Sequence, residues 1–124
     1  MCGRYALAQG LDVIDTQFGS DSSGISPMPF NWNIAPTNDI YIIRNESDSR
    51  ILDTASWGII APWQKKYSEA RISQSHAINA RSESIHEKPT FRQAFRTSRC
   101  LIPATGYYEW ATSLGKYPPK QPFY

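Results

Sequence analysis

Met1-Cys2-Gly3-Arg4-Tyr5-Ala6 opens the chain. Residues 2–6 read as a β-strand, and the fold is built outward from it. In the plainest reading Cys2 is a packed thiol, as most cysteines are. A second reading comes from its place beside the initiator methionine. Cysteine is small enough for removal of that methionine to be expected, and removal leaves Cys2 with a free α-amine next to its own thiol. Such an amine titrates near about 7.7–8.0 and a thiol near about 8.5, so both are partly reactive at neutral pH. An aldehyde meeting the pair forms a Schiff base with the amine, and the thiol can close onto the same carbon as a thiazolidine. Gly3 lets another backbone or a ligand approach closely. Arg4 adds a planar donor fork suited to phosphate or carboxylate. These residues alone leave both readings open.

Beyond the opening strand, Leu11, Ile14 and Phe18 fall at helical spacing, which predicts a short amphipathic helix over Leu11–Phe18 closed by Gly19. Residues 20–29 read as a polar loop, and Pro36 fixes a turn after Asn31-Trp32-Asn33-Ile34-Ala35. Residues 40–44 and 50–54 flank a polar stretch over 45–49 and predict a hairpin. The apolar run Trp57-Gly58-Ile59-Ile60-Ala61-Pro62-Trp63 is punctuated by Gly and Pro. Residues 64–74 are polar and suit an exposed loop or short helix, and residues 77–81 a short extended segment. Phe91, Ala94 and Phe95 after Pro89 predict a helix over 90–97, with Arg92, Arg96 and Arg99 in and just beyond it. Residues 100–103 and Gly106–Trp110 read as strands, Leu114-Gly115-Lys116 as a turn, and residues 121–124 as the start of another strand. No repeat or domain boundary interrupts this order, so a single domain over 1–124 is expected.

The 124 residues are 40% hydrophobic and 19% charged, which is the composition of a folded domain. A net charge of +2 hides an uneven distribution. Residues 1–56 carry three arginines against seven acids, net −4; residues 57–124 carry ten basic residues against four acids, net +6. A basic second half fits an anionic partner, and equally a solvated basic face. Two cysteines are too few for a disulfide framework, and no apolar run matches a signal peptide or membrane span. An intracellular, reduced protein is expected, nuclear or cytoplasmic and not secreted, with no membrane partner. His76 and His86 with Cys2 and Cys100 have no zinc-type spacing, so neither metal nor cofactor is expected. Cys100 reads as a buried strand thiol.

Four segments stand together: Met1-Cys2-Gly3-Arg4-Tyr5, Asn33-Ile34-Ala35-Pro36-Thr37, Ile78-Asn79-Ala80-Arg81-Ser82-Glu83 and Gly106-Tyr107-Tyr108-Glu109-Trp110. With Trp57-Gly58, Trp63 and Lys120-Gln121-Pro122-Phe123, they closely resemble the SRAP family (SOS response-associated peptidase, also called abasic-site processing proteins). The resemblance runs the length of the chain, and the combination of motifs starting at Cys2 is specific where each motif alone is weak. It implies an α+β fold around a curved, barrel-like, mostly antiparallel sheet with short helices. It also implies a DNA-damage-response protein, expected as a monomer, that binds single-stranded DNA and recognises an abasic site. There Cys2 attacks the sugar aldehyde and leaves a covalent thiazolidine cross-link. An autoproteolytic activity is also ascribed to the family.

By the same resemblance Glu109 is the catalytic glutamate. Its setting among aromatic residues is one in which desolvation raises a carboxyl's pKa and fits it for proton transfer, and an exposed strand carboxylate is the alternative. Asn79 can orient the opened sugar or a phosphate. Arg81 shares its face if the segment is extended and, with Arg4, would hold phosphate; a loop with a surface salt bridge is the plainer reading. Trp63 and Trp110 are candidates for stacking on bases, Trp57 for the core, and Pro36 for shaping the loop beside Cys2. The family's catalytic histidine belongs to a later motif than any in this sequence. Neither His76 nor His86 inherits its role, and the C-terminal part of the domain is expected to be missing. Two other functions compete with this one: a thiol-dependent peptidase using Cys2 and Glu109, and a non-enzymatic single-stranded-DNA-binding module or inactive fragment.

Overall fold

A computed structural model describes residues 3–111 and 120–124. Cys2 and the turn expected at residues 114–116 lie outside the described residues. Strand β1 (Arg4–Leu7) is central in a four-stranded sheet of order β3-β1-β6-β7, with β3 at Asn31–Ile34, β6 at Gly106–Trp110 and β7 at Pro122–Phe123. A second sheet has the order β2-β5-β4, with β2 at Ser20–Asp21, β4 at Asp39–Glu46 and β5 at Ser49–Ser56. All pairings are antiparallel except β2 with β5. The fold is therefore the α+β class expected from the resemblance, but its sheet does not close into a barrel. The two sheets remain separate ladders, and β4 also makes an isolated bridge to Leu101, where Ile43 and Leu101 exchange backbone hydrogen bonds of 2.8 and 2.9 Å.

Helix α1 (Leu11–Phe18) has its expected bounds. Ile14 is its buried anchor, and Gly19, at φ 61°, ends it in the left-handed conformation that glycine adopts without a Cβ clash. Arg50 reaches back from β5 to donate to the Phe18 carbonyl at 2.6 Å, so a cation meets the negative end of the helix. The β4–β5 hairpin is longer and its turn tighter than the apolar residues indicate. Glu46 pairs with Ser49, leaving Ser47-Asp48 as the turn. Backbone ladder bonds extend past the last apolar side chain because they need none.

The inner residues of both sheets form one core: Tyr5, Leu7, Ile34, Ile40, Tyr41, Ile43, Leu52 and Trp57, with Ile14 of α1. Trp57 is 8% exposed and meets Tyr5 edge-on, ring centroids 5.3 Å apart at 72°. Residues 64–74 resolve into helix α2 (Tyr67–His76), which turns Ala70 and Gln74 inward. Helix α3 spans Pro89–Thr97 with proline in its first turn, where a missing N–H costs nothing.

Two local expectations are corrected. Residues 77–81 form no strand: Ala77 accepts the Ile59 N–H, and the Arg81 carbonyl starts a turn by accepting the N–H groups of Ser84 and Ile85. Residues 100–103 make a single bridge at Leu101, and Cys100 is exposed rather than buried in a strand. Residues 77–81 pair with no strand, and residues 100–103 meet β4 at Leu101 alone, so neither completes a ladder.

Candidate functional site

The site candidates gather around the pairing of β1 with β6, in the register Arg4↔Tyr108, Tyr5↔Tyr107, Ala6↔Gly106. Alternation along a strand then sorts the side chains. Tyr5, Tyr107 and Glu109 share one face. Arg4, Tyr108 and Trp110 share the other.

On the first face, Tyr5 and Tyr107 line a cavity of about 330 Å³ together with Trp57, Ile78, Asn79, Ile102 and Ala104. Tertiary folding thus brings Asn79, far away in sequence, to the strand that carries Glu109. Glu109 is half-buried, two residues beyond Tyr107 and opposite Phe123 of β7. Its sequence neighbours Tyr108 and Trp110 point to the opposite face. The aromatic enclosure that adjacency implies is therefore only partial, and it comes from Tyr107 and Phe123.

On the second face, Arg4 donates from Nη1 to the Asn33 side-chain oxygen at 2.7 Å. Tyr108 donates its hydroxyl to the Trp32 carbonyl at 2.9 Å and lies 5.0 Å from the Tyr124 ring. Tyr124 covers Gly106, where a Cβ would stand 2.5 Å from its ring carbon, so any side chain there would displace the Tyr124 ring. Trp110, 39% exposed, follows on the same face as an open aromatic surface. The structure therefore divides the expected set: Glu109 and Asn79 belong to one side of the β1–β6 pair, Arg4 and Trp110 to the other.

The loop bearing Asn79 is held by Gln74, Ser56 and the backbone around Gly58. Gln74 is the buried polar residue of α2, 3% exposed, and donates from Nε2 to Ser56 Oγ at 2.9 Å. Gly58 passes directly beneath it at φ 116°. The Ile59 N–H then bonds the Ala77 carbonyl at 3.0 Å, two residues before Asn79. No signal in the sequence marks Gln74, since a polar residue in a polar helix is normally on its outside. Arg81 is exposed at the start of its turn, and without a regular strand it does not share a strand face with Asn79.

Pro36 occupies the second position of the turn 35–38, in which Asn38 N–H bonds the Ala35 carbonyl. Thr37 follows at φ 72°, an unusual conformation for a β-branched residue. It is held there because its N–H bonds the Trp57 carbonyl at 2.9 Å and its own carbonyl accepts from Ser56 Oγ at 3.1 Å. Trp63, 54% exposed, stands on the loop before α2. Cys100 is exposed as a residue, but partial burial of its thiol pushes that group up. Among the described residues no group of His, Cys, Asp and Glu could hold a metal, and no helix is long and apolar enough to cross a membrane.

A family profile described as SOS response associated peptidase (SRAP) matches residues 1–124. Abasic site processing protein YoaM of Bacillus subtilis is 39% identical over 114 residues, 89% of this chain and 47% of that protein. Abasic site processing protein HMCES of Xenopus tropicalis is 31% identical, covering 100% of this chain and 42% of its own length. The chain thus spans about half the length of the curated relatives it matches. A crystal structure of a protein from Bordetella bronchiseptica superposes with a TM-score of 0.69 at 28% identity, over 90% of this chain and 52% of that one. One from Bacteroides thetaiotaomicron superposes at 0.81 with 24% identity, over 98% and 52%, a likeness of fold.

Proposed function

The chain belongs to the SOS response-associated peptidase family, and we propose that it recognises abasic sites in single-stranded DNA and, once Met1 is removed, captures them covalently through Cys2. The observation that carries this reading is the β1–β6 pair. It sets the strand beginning two residues after Cys2 beside the strand bearing Glu109, with Asn79 bordering the same face. The printed names of the relatives, abasic site processing proteins, support the substrate class.

The chemistry follows from the residue types. The Cys2 α-amine adds to C1′ of the open-chain sugar aldehyde to give a carbinolamine. Loss of water leaves an imine. The thiol then adds across the C=N bond: sulfur bonds C1′, and the thiol proton ends on nitrogen. One water is released, and nothing is oxidised or reduced. Carbinolamine formation and dehydration both move protons, which is the work assigned to Glu109. Asn79 donates to and accepts from the opened sugar. Arg81 and Arg4 hold flanking phosphates. Trp63 and Trp110 stack on bases, each contact worth about 1–3 kcal/mol. Because Glu109 and the Arg4–Trp110 pair lie on opposite faces, the bound strand passes across the end of the β1–β6 pair. Pro36 shapes the turn packed on Trp57.

The test is to mix protein shown by intact mass to lack Met1 with a single-stranded oligonucleotide carrying one abasic site, then heat and denature. A heat-stable shifted band is expected from the native sequence. Cys2→Ser keeps the amine and should give at most a labile Schiff base. Durable adduct at the native level from Cys2→Ser would refute the thiazolidine, and peptide cleavage without DNA would favour a peptidase. Reversible DNA binding indifferent to Cys2→Ala would leave a binding module.

A further inference from the structure

Helix α3 carries a basic ridge that the sheet site does not use. Lys88, Arg92 and Arg96 succeed one another at four-residue spacing, and 3.6 residues per turn keeps them within an arc of about 80°. Arg99 follows just beyond the helix, its guanidinium 5.9 Å from the centre of the Phe95 ring, which holds it against the last turn. All four are exposed. Helix α3 contains no acidic residue, and no ion pair among the described residues involves any of the four.

Such a ridge opposes its own helix. Successive charges stand roughly 6 Å apart at a rise of about 1.5 Å per residue. That is inside the screening length of about 8 Å at physiological salt. Like charges at i,i+4 weaken a helix, and Lys88 at the N-terminus opposes the macrodipole, while Arg96 and Arg99 at the other end favour it. An anion along the ridge relieves both.

The other side of the helix limits what that anion is. Phe91 and Ala94 turn inward to line an apolar cavity of about 400 Å³, shared with Ile40, Trp57, Ile85 and Asn79. Phe95, 38% exposed, is then the one large apolar side chain α3 leaves open, too little for the apolar face an interfacial helix inserts into a bilayer. Evenly spaced arginine forks along a line instead match a chain of phosphates. The cavity also fixes the position of the ridge. Asn79 and α3 both line it, so a strand leaving the Asn79–Arg81 loop comes close to α3.

We propose that α3 is a second phosphate track, along which the sugar–phosphate backbone of a single nucleic-acid strand lies after it leaves the Asn79–Arg81 loop. The choice of nucleic acid rests on the function proposed above, but the track itself needs no lesion.

The experiment is fluorescence anisotropy with lesion-free single-stranded DNA of about 6 and about 20 nucleotides, which bracket typical single-strand site sizes. Native protein is compared across salt with Arg92→Gln/Arg96→Gln/Arg99→Gln and with the corresponding triple lysine variant. On the long strand the log–log salt slope of the glutamine variant should shrink by about 2, from about 0.7 per phosphate lost. On the short strand it should change little, and the lysine variant should retain the native slope. Cross-linking of a short abasic oligonucleotide should be unaffected. Native slopes from the glutamine variant on the long strand would overturn the track. So would equal losses on both lengths, or native binding to polyglutamate as tight as to DNA. Native protein that binds the long strand through α3 yet never cross-links would sustain the track and refute covalent capture.

Discussion

Replacing Gly58 by alanine tests whether the loop bearing Asn79 is held as described. The residue sits at φ 116°, outside the small left-handed region that other residues tolerate. Holding alanine there costs about 1–3 kcal/mol. The added Cβ would stand 2.8 Å from Gln74 Cγ and closer still to the Gln74 carbonyl oxygen. A backbone oxygen cannot rotate away, so the last turn of α2 must shift. That shift strains the Gln74–Ser56 bond and the Ile59–Ala77 bond, each worth roughly 0.5–1.5 kcal/mol. Alanine recovers about 0.4–1 kcal/mol by restricting the unfolded chain. The net loss should be about 2–4 kcal/mol, which at about 4 °C per kcal/mol for a domain of this size lowers Tm by roughly 8–16 °C. Urea unfolding followed by tryptophan fluorescence measures it, with Gly24→Ala as control. A Cβ at Gly24 meets nothing within 4 Å, so that variant should stay within about 1 kcal/mol of the native chain. A Gly58→Ala protein within about 0.5 kcal/mol of native would refute the account of the Gln74–Gly58 contact.

Glu109→Gln keeps the shape of the side chain but cannot titrate. Under the proposed function, cross-linking should slow by about 10²–10⁴-fold with little loss of affinity for intact single strands, measured by single-turnover gel assay; native rates across pH 5 to 8 would make Glu109 structural. Arg81→Ala should reduce the salt slope for single-stranded DNA by about 0.7, and an unchanged slope would remove Arg81 from the phosphate contacts. The pH dependence of stability has a definite sign at Asp53. The Thr54 N–H at 2.8 Å, and next the Arg44 guanidinium at 3.0 Å, hold its carboxyl below the usual aspartate range. Its contribution is therefore present above the ordinary aspartate value, near about 3.9, and is lost as pH falls through its lower folded value. Asp53→Asn should flatten that acid limb in thermal melts, and an unaltered limb would assign it to other carboxylates such as Asp21, also lowered, chiefly by the Ser23 N–H.

Local pattern determined much of this protein. Helical spacing and a following glycine set α1 at its observed bounds, and two segments flanking a polar stretch indicated the β4–β5 hairpin. The joint presence of Met1-Cys2-Gly3-Arg4, Asn79-Ala80-Arg81 and Glu109-Trp110 pointed to the family whose profile matches residues 1–124. These features depend on residues close to one another in the chain or on residue identity, and both are written in the sequence. Other features arise only when distant segments meet. Strand parity places Glu109 with Tyr107 and sends Trp110 to Arg4's side, because the β1–β6 register, and not adjacency, decides the face. Gln74 is buried because Ser56 awaits it 18 residues upstream. Residues 77–81 look extended but pair with no strand, and residues 100–103 pair with β4 at Leu101 alone. A backbone hydrogen bond needs a partner in space, and no local reading of the chain supplies one.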